Sequence, residues 1–167
     1  QALRTKAIYA IVFALIGMLI YIRIRFKHFA FAAATVVAIF HDVLLTLSLL
    51  ILLGREIDLL VVTAILTITG YATNDAIIIY DRVRENVPKM RNKSLSDVIN
   101  ESINQTLGRT VMTTFMTTLA ALSLYFFGGE VLNTFAVVLI RGFLLGTYST
   151  VYVVSPLFLW WQGKKKW

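Results

Sequence analysis

The sequence predicts an all-α, polytopic membrane helical bundle, and three observations carry that expectation. Hydrophobic residues make up 58% of the 167 and charged residues only 15%, for a mean hydropathy of +0.76, beyond what a soluble domain carries. The apolar residues gather into five runs, at about 6–22, 29–53, 59–80, 109–127 and 131–161. Roughly 20 such residues let a helix cross the ~30 Å hydrocarbon core. The basic residues behind the net charge of +7 sit between the runs, so they report topology rather than a nucleic-acid partner.

The first run has no small-residue cleavage site and leads into Arg23, Arg25 and Lys27, so it reads as a permanent span with a basic link, residues 1–28. The chain opens at Gln1, and the expectation is a fragment from one end of a longer polypeptide. Two further spans and a short turn at 54–58 fill residues 29–80. The polar stretch 81–108 forms a link, in which Leu95, Val98, Ile99, Ile103 and Leu107 recur with the spacing of an amphipathic surface helix. Ser94 followed by Asp97 resembles a capping box for it, and Pro88 separates it from the preceding span. The last two spans lie in 109–163, joined at Gly128-Gly129-Glu130, before the basic tail 164–167. Arg82, Arg84, Lys89, Arg91 and Lys93 in the long link, with Lys164, Lys165 and Lys166 at the end, put those sides in the cytoplasm. The N-terminus of the chain is then outside and its C-terminus inside, although Arg4 and Lys6 argue weakly against this.

The chemistry is that of charge inside a membrane. The chain has no cysteine, and His28 and His41 are far apart, so thiolate and histidine metal sites are not expected. It also lacks a nucleophile elbow and a phosphate-binding loop, so neither an enzyme nor a bound cofactor is expected. Asp75 lies inside the third run, where a carboxylate costs about 2.5–3.5 kcal/mol or more. Thr67, Gly70, Tyr71, Asn74, Asp75 and Ile78 share its helical face. The fourth run carries a stripe of Thr106, Arg109, Thr110, Thr113, Thr114, Thr117 and Thr118. Such a stripe serves as packing glue between helices or as the lining of a polar site. Arg109 is a counter-charge for Asp75: desolvation favours a protonated carboxyl and a nearby guanidinium favours an ionised one, so motion between them trades a proton for conformation. Asp42, about 18 Å from the inner end of the second run, is a second intramembrane carboxylate, either proton-handling or structurally bonded to His41, Thr46 or another helix.

Residues 70–86, Gly-Tyr-Ala-Thr-Asn-Asp-Ala-Ile-Ile-Ile-Tyr-Asp-Arg-Val-Arg-Glu-Asn, closely resemble the signature of the SecF family of protein-export membrane proteins. His41-Asp42-Val43, Glu56-Ile57-Asp58-Leu59, Gln105-Thr106-Leu107-Gly108-Arg109-Thr110 and Phe127-Gly128-Gly129 follow in the same order, so the resemblance covers about residues 29–156. It implies the resistance-nodulation-division (RND) fold, here as a half lacking its first span and its extracytoplasmic domain. It implies a bacterial or archaeal cell (inner) membrane location, and partnership with SecD, separate or fused, beside the SecYEG channel. There proton flow would be coupled to movement of a preprotein, with sodium as the alternative ion. Asp75 matches the family's proton-carrying carboxylate and Arg109 its basic partner, while Tyr71 and Asn74 match the flanking motif. Thr106, Thr110, Thr113 and Thr117 would supply the supporting polar face. Half of another RND-type exporter and a non-titrating scaffold are the alternatives. Arg141 departs from the family's usually apolar residue, and is expected either at the outer interface, with the span proper starting near Gly142, or paired with Glu130 or a partner carboxylate.

Overall fold

A computed structural model describes residues 2–26 and 29–162. They form α1 (Ala2–Phe26), α2 (Phe29–Leu52), α3 (Leu59–Asn86), α4 (Leu95–Phe127), α5 (Gly129–Ser149), a π turn (Thr150–Val154) and α6 (Ser155–Gln162), with no strand among the described residues. The all-α expectation holds. Lys27, His28, Lys164, Lys165 and Lys166 lie outside the described residues, as do the side chains of Arg4, Arg23 and Arg25.

Helix ends follow local chemistry. Gly54, at φ 63°, closes α2 with Gly54 N donating to Ile51 O (3.0 Å) and Arg55 N to Leu50 O (2.9 Å), a Schellman arrangement that a side chain at this φ would strain. The Asp58 carboxylate accepts from Val61 N at 2.8 Å and starts α3. Pro88 follows its end. The Ser94–Asp97 capping box is present in full at the start of α4.

Four helical runs are long and apolar enough to cross a membrane: α2, α3, α4 and the unbroken stretch Gly129–Gln162. The first expected span is a 25-residue helix, α1, whose described apolar run, Val12–Tyr21, is shorter. The amphipathic segment is not a separate surface helix. It forms the opening turns of α4, a continuous helix of 33 residues. Gly108 at the expected junction has open space where a Cβ would stand, and a helical Gly costs only about 1 kcal/mol relative to Ala, too little to break the helix.

Packing centres on α5, which lies against both α3 and α4. Gly142 and Gly146, four residues apart, let α5 approach α3: a Cβ on Gly142 would run into the Ile68 side chain, and one on Gly146 would stand 3.2 Å from Ala72 Cβ. Two apolar cores result. One, toward the end of the 54–58 and 128–129 turns, contains Ile39, Val43, Val61, Ile65, Val138 and Phe143. The other, toward the 87–94 loop, contains Phe31, Ile79, Tyr80, Val98, Val154 and Phe158. Its Phe31 and Tyr80 rings stack at 4.2 Å and Phe158 meets both edge-on. The polar side chains Asp42, Thr69, Thr73, Asp75, Thr110, Thr114, Ser149 and Thr150 are buried as well.

Candidate functional site

Four side-chain contacts fix how α3 and α4 run past each other. Near the 87–94 loop, Asn86 Nδ2 donates to Ser102 Oγ (2.9 Å) and Gln105 Oε1 (3.0 Å), and Arg82 Nε donates to the same Gln105 oxygen at 2.6 Å. Arg82 also pairs with Glu85 at 2.8 Å. Farther along, Tyr71 Oη meets Thr114 Oγ1 at 2.9 Å, and Thr114 meets Thr147 Oγ1 of α5 at 2.6 Å. The helices are antiparallel, and counting one turn from the Tyr71–Thr114 contact brings Asp75 near the level of Thr110.

Asp75 is 1% exposed, and its Oδ2 has no hydrogen-bond partner. Thr110 Oγ1, near the same level of α4, is also buried without a partner. Two unpartnered oxygens at one level of a helix interface are costly, because buried polar groups are normally bonded. The expected Asp75–Arg109 ion pair is not made in this conformation. The ion pairs given by the described residues are His41–Asp42 and Arg82–Glu85, and Arg109 is exposed, within reach of Asp75 only through its charge.

The polar face read from the sequence splits in two. Asp75, Thr106, Thr110 and Thr114 turn inward, and Tyr71 and Thr117 are half-buried. Thr67, Gly70, Asn74, Arg109 and Thr113 face outward, so Asn74 and Arg109 do not join the interior as expected. Asn74 sits about 100° around α3 from Asp75, and the tight α3–α5 seam decides which of the two is buried. Most stripe hydroxyls satisfy themselves on their own helix: Thr106 donates to Ser102 O (2.9 Å), Thr113 to Arg109 O (3.1 Å) and Thr117 to Thr113 O (2.9 Å). Thr114 reaches other helices.

Asp42 is held differently. Ser149 Oγ donates to its Oδ2 at 2.5 Å, and His41 Nδ1 lies 3.1 Å from its Oδ1. Thr46 bonds the Asp42 backbone carbonyl (2.8 Å), not its carboxylate. Ser149 and Thr147 escaped the sequence reading, which took their run as plain apolar span; the small residues Gly142 and Gly146 were the available signal of close packing there. Arg141 lies within the continuous α5, its Nε buried without a partner, beside a groove of about 590 Å³ lined by Leu49, Tyr125, Phe126 and Tyr148. It makes no ion pair with Glu130, which is exposed about 16 Å away along the same helix.

Membrane-length helices enclosing two carboxylates and a ladder of hydroxyls define a polytopic membrane protein built around groups able to carry charge. The chain belongs to the family "Protein export membrane protein SecD/SecF, C-terminal", which matches residues 1–164. It is 48% identical over 162 residues to the protein translocase subunit SecF of Koribacter versatilis, covering 97% of this chain and 40% of that protein. To the SecF subunit of Endomicrobium trichonymphae it is 41% identical over 164 residues, covering 98% of this chain and 53% of that protein. The chain therefore spans about half the length of the curated relatives it matches. A solved structure described as SecDF in Super-membrane-facing form superposes with a TM-score of 0.91 at 41% identity, covering 98% of this chain and 22% of that one.

Proposed function

We propose that this chain is the last five spans of a SecF-type subunit that pairs with SecD and uses the proton gradient to promote preprotein translocation through SecYEG. The observation that carries the reading is Asp75, buried at membrane depth with an oxygen left unbonded. A group so placed gains from binding a proton, which removes the charge and supplies a donor. Arg109, outside the bundle but within electrostatic reach, becomes the ion-pair partner in another step of the cycle. The outward stripe of Thr67, Asn74, Arg109 and Thr113 also supports a partner, since hydrocarbon does not solvate it and a SecD half covering it would. The work on the preprotein is mechanical, so the subunit is not an enzyme, and it sits in the bacterial or archaeal cell membrane with its C-terminus cytoplasmic.

The test uses the full-length subunit with SecD. Asp75→Asn keeps the shape and deletes the titrating group, so gradient-driven stimulation of export is lost while SecD still co-purifies. Undiminished stimulation refutes the reading, and stimulation that follows sodium rather than the proton gradient replaces the ion.

A further inference from the structure

The Asp42 cluster has the connections of a switch. Ser149 Oγ stands 2.5 Å from Asp42 Oδ2 and 3.1 Å from the Gly146 carbonyl oxygen. A hydroxyl carries one hydrogen, so Ser149 donates to only one of them at a time. An ionised Asp42 takes it, because charged acceptors make the stronger hydrogen bond. A protonated Asp42 instead donates its own O–H to Ser149 Oγ, and the Ser149 hydrogen turns to Gly146. One added proton thus reverses one hydrogen bond and creates another, with no other atom exchanged.

The position of Ser149 gives that exchange leverage. It is the last residue of α5, directly before the π turn, where the helical hydrogen-bond ladder changes step. The Gly146 carbonyl already accepts the backbone N–H of Thr150 and its Oγ1 at 2.7 Å. A third donor on an oxygen with two lone pairs weakens the others. Gly146 also presses on Ala72, three residues before Asp75 on α3. Around the carboxyl, α3 brings Ile68, Thr69 and Ala72 and α5 brings Gly142 to the lining of a cavity of about 10 Å³, and α5 adds Ser149 on Oδ2, none of them charged. Among the described residues, His41 on the same helix is the charged or titratable group that reaches Asp42, and its ring is partly exposed.

We propose that Asp42 is a second proton-binding site, reached past His41, whose proton moves the Ser149 hydroxyl onto Gly146 and so resets the α5–π junction against α3. Its use in a cycle rests on the proton-coupled reading above, but its test needs no transport. Infrared difference spectra between acidic and neutral pH are recorded on the full-length subunit with SecD in membranes. A protonated-carboxyl band is expected in the unmodified protein, lost in Asp42→Asn, shifted in Ser149→Ala and retained in Asp75→Asn. A spectrum that Asp42→Asn leaves unchanged overturns the proposal, as does a band that Ser149→Ala fails to move. Should Asp42→Asn not assemble, Ser149→Ala decides alone. Failure of the Asp75→Asn export test leaves these bands unaffected, so the two readings fall separately.

Discussion

Asp42 and Asp75 are buried to nearly the same degree on neighbouring helices, 5% and 1% exposed, yet one is fully engaged and the other is left short of partners. Asp42 has a hydroxyl on one oxygen and an imidazole beside the other. Asp75 has an unbonded oxygen, and Thr110 near its level on α4 has an unbonded hydroxyl. Burial therefore does not separate a carboxylate with both oxygens engaged from one with an oxygen left unbonded. Its bonding partners do.

The largest effect that sharpens this contrast is on activity: Asp75→Asn removes gradient-driven export and changes unfolding stability by less than about 1 kcal/mol, because the lost oxygen had no partner to abandon. Arg109→Leu in the same export assay impairs coupling, and a silent variant breaks the link between the two residues. Asp42→Ala does the reverse to stability, costing about 1–3 kcal/mol in denaturant unfolding by stranding the Ser149 hydroxyl and the His41 ring. A neutral result there would erase the distinction. Gly142→Ala, at the tight α3–α5 seam, costs about 1–3 kcal/mol by driving a methyl into Ile68. Gly70→Ala, on the open face, is neutral or gains up to about 1 kcal/mol. The smallest effect is Thr114→Val, which cuts the Tyr71–Thr114–Thr147 chain for about 0.6 kcal/mol, read from the same unfolding curves.

Asp75 stood out in the sequence because a charge inside an apolar run has no cheap explanation, and the threonine stripe because its spacing repeats. Ser149 could not stand out: serine is unremarkable in a span, and its partner lies 107 residues away, selected by the crossing of α2 with α5. The wrong placement of Asn74 has a similar origin, since a helical wheel gives a shared face but not the line along which a neighbour divides it. Continuity of α4 was hidden by composition: polar residues at 95–108 announce water, and water contact is compatible with a helix that simply continues out of the membrane.

That continuity makes α4 a rigid shaft. Its 33 residues extend about 50 Å, well past the ~30 Å hydrocarbon layer. Arg82 and Asn86 of α3 grip it near one end, at Ser102 and Gln105, and Phe126 and Phe127 project at the other. A tilt of about 5° about that grip carries the far tip some 3 Å through the opposite leaflet, without any change inside the helix itself. Small rearrangements around residues 102–105 would thus be delivered across the membrane as displacement, with Thr110 and Thr114 sitting along the arm.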